Sequence, residues 1–146
     1  MKYEIFILIL GVVISLIYLA KIKNTTSAFI VFIQIISLGL SFFVNPTIGH
    51  YLFGIAILLS LFYPVINKVE SLLNRRLIWL FLFPILAVFT YGILNFSGYN
   101  YVRLALPITF FVFVYSIANK KKFKYEIGFM ILFVADALIR FIGFFH

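Results

Sequence analysis

An all-α membrane protein of six transmembrane helices is the fold class this sequence predicts, and three observations predict it. The 146 residues are 65% hydrophobic and 11% charged, whereas soluble domains are about 45–50% apolar and about 25% charged. The mean hydropathy of +1.19 is too high for a chain that must cover itself with a polar surface, so its solvent is a bilayer. The apolar residues also gather into six runs of roughly 20 residues, the length that crosses about 30 Å of hydrocarbon as helix. Lipid offers no partner to a backbone amide or carbonyl, so each run must be helical.

The first run, Tyr3–Ala20, ends at KIKNTTS. It has the basic start and apolar middle of a signal peptide. However, Tyr18 stands where cleavage before Lys21 needs a small residue, and Lys21 with Lys23 favours retention as a helix. The second run, Ser27–Val44, stops at the Asn45-Pro46 turn of NPTIGHY. The third, Thr47–Ile66, is followed by NKVESLLNRR, the longest polar segment. The fourth, Leu77–Phe96, ends in SGYNY, a Gly-Asn turn between interfacial tyrosines. The fifth, Tyr101–Ala118, leads through the basic NKKKFKYE into the sixth, Glu126–Phe145. Pro64, Pro84 and Pro107 fall inside the third, fourth and fifth runs, where each removes a backbone bond and predicts a kink. No connection is long enough to hold a soluble domain, so the chain, 1–146, reads as a single polytopic domain. An inverted 3+3 repeat of the kind found in transporters is not visible between the two halves.

Charge placement sets the expected orientation. Nine of the twelve basic residues lie in the segments after runs one, three and five. The positive-inside rule places those segments in the cytoplasm, with the N-terminus and the C-terminus both outside. The net charge of +8 is thus spent on topology. No basic helix could follow a phosphate backbone, and nucleic acid is excluded as a partner. Heavy use of Phe, Ile, Lys and Asn fits a bacterial source, which makes the bacterial cytoplasmic (inner) membrane the expected location. The absence of cysteine excludes disulfides, thiolate metal sites and thiol redox chemistry. His50 and His146 lack a third ligand at metal spacing, so no metal and no cofactor are expected. Membrane lipids and a membrane-protein partner are the expected associations.

Chemistry, where the sequence allows any, lies in FVADALIRFIGFFH. Asp136 stands about 15 Å along the sixth helix from Glu126, near the bilayer midplane, and Arg140 lies one turn nearer the outer face on the same side. Each charge costs about 2.5–3.5 kcal/mol near a helix centre, so both should face the bundle interior. One reading is an intrahelical ion pair that fixes how the helix docks; the other makes Asp136 a catalytic acid or base. Gln34, Ser37 and Ser41 form a polar stripe on the second helix. Asn45, His50, Tyr51, Asn95, Tyr99, Tyr101 and Arg103 cluster towards the outer surface, with Thr90, Tyr91 and Thr109 deeper. Arg140, Arg103, Gln34 and His50 are the candidate ligand-binding set. Converged, they would make a net-positive site suited to an anionic headgroup or phosphate. Small hydroxyls in membrane helices otherwise serve packing. No GxSxG, HExxH, glycine-rich phosphate loop or paired-carboxylate motif is present.

The stretch GFMILFVADALIRF, Gly128–Phe141, resembles a late helix of the lysoplasmalogenase-type membrane enzymes. The shared features are Gly128, Asp136 eight residues on with the small Ala135 before it, and an apolar continuation. The resemblance implies a membrane-embedded vinyl-ether lipid hydrolase in which Asp136 does acid/base work. At a similar spacing on an earlier helix, GIAILLSLF places Phe62 where the family has an aspartate, and this chain has fewer helices. The leading expectation is therefore a non-enzymatic partner or accessory subunit of a bacterial membrane assembly. The alternatives are a lipid-directed hydrolase using Asp136 and a small transporter or channel for an anionic or amphipathic solute.

Overall fold

Side-chain caps set several helix starts. The Asn24 side chain accepts a hydrogen bond from the Ser27 amide at 2.9 Å, Asn45 accepts from the Thr47 amide at 2.9 Å, and Ser71 accepts from the Asn74 amide, each satisfying a donor the helix leaves open. Pro46, which has no amide to lose, opens the third helix. The computed structural model describes residues 2–21, 23–69 and 71–146. The helices are α1 (Lys2–Lys21), α2 (Thr25–Phe43), α3 (Pro46–Ile66), α4 (Leu72–Ile93), α5 (Tyr99–Arg103), α6 (Leu106–Ala118) and α7 (Ile127–Ile142). Among the described residues the regular structure is entirely α-helical.

Five stretches are long and apolar enough to cross a membrane: Tyr3–Lys21, Thr25–Phe43, Pro46–Ile66, Leu72–Ile93 and Tyr99–Ala118. The last is broken at Leu104 and Ala105, between α5 and α6, where an unbroken run from Tyr101 was expected. Pro107 causes the break. It does not kink a helix interior but sits in the first turn of α6, where the amide it lacks, which would have bonded to the Arg103 carbonyl, is not needed by the new helix. Pro64 and Pro84 do lie inside α3 and α4. The sixth expected span is shorter than the run Glu126–Phe145. α7 has 16 residues, about 24 Å at 1.5 Å per residue.

That short helix is the hub. No residue from Ile127 to Phe144 is fully exposed, and half of α7 is buried. Phe133 meets Phe53 of α3 edge-on at 5.5 Å and Phe81 of α4 at 6.5 Å, while Phe129 meets Tyr63 of α3 at 5.1 Å. Such offset aromatic contacts add to plain burial. α1 approaches α7 closely through small residues: a Cβ on Gly11 would sit 3.1 Å from Ala135 Cβ, the kind of contact that holds helices together in lipid. Polar pins complete the hub. Ser15 of α1 donates to the Gly128 carbonyl at 2.6 Å, and Gln34 of α2 donates to the Phe129 carbonyl at 3.2 Å. At the far end, Arg103 of α5 donates to the Arg140 carbonyl at 2.7 Å. That last contact places a cation on the open carbonyls of a helix C-terminus.

Away from the hub, Trp79 donates to the Leu61 carbonyl at 3.0 Å and joins α4 to α3, and Thr109 donates to the Phe81 carbonyl at 3.0 Å and joins α6 to α4. Thr109→Val should lower stability by about 0.6–1.7 kcal/mol, the average and the maximum for such bonds in membrane helices. A thermal unfolding series in detergent checks it.

Candidate functional site

Residue order along the packed helices shows that neighbours of α7 alternate in direction. On α1, Gly11 faces Ala135 and Ser15 faces Gly128, so α1 runs antiparallel to α7. The first turn of α1 and the last turn of α7 therefore share one end of the bundle with the end of α2 and the start of α3. Two cavities open there, and His50 and Arg140 line both.

The larger cavity, about 640 Å³, lies between the start of α3, the end of α4, Tyr99 of α5 and Arg140 of α7. Its polar lining comes from Thr47, His50, Tyr91, Asn95, Tyr99 and Arg140, with exposed Tyr51 and Phe96 also on its walls. Arg140 is the one formally charged side chain among them. Asn95 takes the left-handed conformation, φ 50, as an asparagine closing a helix can, and Phe96 then bonds back to the Tyr91 carbonyl at 3.1 Å. The lip of this cavity is thus the C-terminal turn of α4.

The smaller cavity, about 220 Å³, is lined by Glu4, Ser37, Ser41, His50, Asp136 and Arg140 with apolar neighbours. Arg140 Nε donates to Asp136 Oδ2 at 2.7 Å, one turn away, with the side chains 21% and 16% exposed. Tyr99 is a further polar neighbour of the guanidinium. His50 Nδ1 lies 2.7 Å from the Pro46 carbonyl. A carbonyl can only accept, so Nδ1 carries the proton, and the lone pair of a neutral ring is left on Nε2.

Of the five residues singled out in the sequence, Asp136, Arg140 and His50 converge. Gln34 does not line either cavity; it is fully buried and holds the Phe129 carbonyl. Arg103 is likewise outside both linings, capping α7 and lying over the Tyr99 ring at 5.3 Å and the Phe144 ring at 5.8 Å from the centroids. The stripe Gln34, Ser37, Ser41 splits by role: Ser37 donates to the Gly49 carbonyl at 2.7 Å, although Ser37 and Ser41 still border the smaller cavity. Sequence reasoning missed Glu4. Its signal was there, since the chain has only four acidic residues and the threading put Glu4 at the same end as Arg140. Among the described residues no group of three or more His, Cys, Asp and Glu could hold a metal ion.

No family model matches the chain, and neither a curated protein nor a solved structure matches it.

Proposed function

We propose that this chain is a non-enzymatic accessory protein of a bacterial inner-membrane assembly that holds the headgroup of an anionic amphiphile in its end cavity. The observation that carries the reading is Arg140, the one formally charged side chain among the described residues lining a cavity of about 640 Å³, whose other walls are phenols, the Asn95 amide, the Thr47 hydroxyl, the His50 imidazole and apolar groups. A guanidinium, a Thr hydroxyl, an Asn amide and Tyr hydroxyls supply donors for an anionic oxygen. Tyr51 and Phe96, both exposed, suit an acyl chain leaving towards lipid. With the basic turns in the cytoplasm, the cavity faces outward, as do both termini. The broad apolar face of α1, including Phe6 at 67% and Ile9 at 58% exposed, is where lipid or an assembly partner would lie.

Reconstituted protein titrated with a short-chain phosphatidic acid should bind it at least tenfold more tightly than the matching phosphatidylcholine. A charge-assisted hydrogen bond contributes about 1.5–3 kcal/mol, and tenfold corresponds to about 1.4 kcal/mol. The double variant Asp136→Leu/Arg140→Met, which removes both charges together, should bind the two lipids equally. Equal binding by the wild type would refute the reading.

A second reading rests on the smaller cavity, where Glu4, His50 and Asp136 come together from three helices. These are groups able to accept and donate protons, and they are the basis for a lipid-directed hydrolase using Asp136, as the resemblance to the lysoplasmalogenase-type enzymes implies. Turnover of a vinyl-ether lysolipid that is lost in Asp136→Asn would favour it. Absence of turnover by the wild type, with phosphatidic acid binding intact, leaves the accessory reading standing alone.

A further inference from the structure

At the opposite end of α7 a carboxyl group is enclosed, and among the described residues no counter-charge pairs with it. Glu126 is the residue immediately before α7, outside the spanning helix, and is 4% exposed. The turn that delivers it sorts its side chains sharply. Lys120, Lys121, Lys122 and Lys124 are all exposed, whereas Phe123 is fully buried and meets Tyr115 edge-on at 6.2 Å. The Lys124 ammonium lies 4.6 Å from the centre of the Tyr125 ring. Backbone bonds from Glu126 and Ile127 to the Phe123 carbonyl, both 3.1 Å, close the turn and fix the inward direction. Four cations thus stand within six residues of Glu126 in sequence, yet among the described residues none pairs with it.

The groups facing the carboxyl are neutral. Tyr18 of α1 and Tyr63 of α3 are its ionisable neighbours, and Tyr125 of its own turn neighbours Tyr63. Nearby on α2, the buried hydroxyl of Ser27 has no hydrogen-bond partner and lies 3.4 Å from where a Cβ on Gly128, two residues along from Glu126, would stand. Glu126 Oε2 also has no partner. An ionised carboxylate in such surroundings has lost its water and gained no cation, whereas the acid form carries no charge to desolvate.

We propose that Glu126 is a proton-binding site, taking up one proton from the membrane face that carries the basic turns and keeping the start of α7 seated while protonated. The step is carboxylate plus proton giving carboxylic acid, with no other reactant. Burial pushes the carboxyl up from its ordinary 4.5 to about 6, against the pull of the Glu126 and Tyr125 amides. The unfolded chain ionises first as pH rises, so the stability contributed by the buried acid is complete below about 4.5 and lost through about 6. Glu126 plays no part in the end cavity, and the proposal stands or falls independently of the ligand reading.

Infrared titration of the whole protein in lipid tests it, because the chain has only four acidic side chains to assign. The carbonyl band of an unhydrated carboxylic acid should be present near pH 5 and gone near pH 7.5, and absent at both in Glu126→Gln. The thermal midpoint of the wild type should fall by several degrees over the same interval, while that of Glu126→Gln stays level. Should Glu126→Gln not fold, wild-type protein carrying isotope-labelled glutamate separates the band from that of Asp136. No band titrating in this window, or a band retained in Glu126→Gln, overturns the proposal.

Discussion

Asp136→Ala should destabilise the protein by about 3 kcal/mol, the lower part of the 3–5 kcal/mol range for breaking a buried ion pair by removing one partner. The Arg140 guanidinium would be left part-buried, 2.7 Å from the place of the lost carboxylate oxygen, with no acidic group on its own helix. The residual 16–21% exposure of the two side chains lets the cavity screen some of the charge, which puts the expected cost at the lower end. Asp136→Leu/Arg140→Met should recover most of that loss, because two well-packed apolar groups need no solvation. Thermal unfolding in detergent of the wild type, the single variant and the double variant checks both expectations. A single variant as stable as the wild type would show that the pair contributes nothing to docking α7. If the double variant were as unstable as the single one, packing at these positions rather than charge would hold the helix.

The pair itself was legible in the sequence because two charges one turn apart in an apolar run have few other solutions. His50 beside it was legible only as a polar residue at the outer level, since direction around a helix axis is set by neighbours that the linear order does not name. Gln34 shows the converse. Its depth and helical spacing marked it as a site candidate, but the nearest open acceptor is the Phe129 carbonyl, and a buried amide takes that bond. Arg103 was drawn away in the same manner by the carbonyls at the end of α7. The order of the apolar helices followed from hydropathy, whereas five rather than six proved long and apolar enough to span, and the division of the fifth depended on where Pro107 falls relative to the next turn. The enclosure of Glu126 could not be read from NKKKFKYE. In that segment a glutamate among lysines looks like a surface salt bridge, and only the burial of Phe123 turns it inward.

Gly49→Ala should be the most damaging single-methyl change in the chain. α2 and α3 are joined through Val44 and Asn45 alone, and the amides of both return to the Leu40 carbonyl, at 3.1 and 2.8 Å. So short a connection forces the two helices together from their first turn. At Gly49 the approach is backbone to backbone: a Cβ there would lie 2.6 Å from the Ser37 carbonyl oxygen and 2.6 Å from the Ser41 amide nitrogen, besides meeting Ser41 Oγ. The Ser41 hydroxyl can rotate away, but the other two atoms belong to the helix itself, so α3 must shift. Overpacking a tight interface costs about 1–3 kcal/mol, and the upper part of that range is expected because no flexible side chain can absorb the strain. The shift would also strain the 2.7 Å bond from Ser37 to the Gly49 carbonyl and displace His50, the next residue, from the wall it shares with Arg140. Gly39→Ala is the matched control, since a Cβ at Gly39 meets nothing within 4 Å. Alanine's better helix propensity should make that change neutral or slightly stabilising, by up to about 1 kcal/mol. Unfolding midpoints and phosphatidic acid affinity measured on both variants should therefore separate. Gly49→Ala should lose stability and anion preference together, and Gly39→Ala should keep both. Adding Ser41→Ala to Gly49→Ala should restore little, because the Ser37 oxygen and the Ser41 nitrogen remain in place.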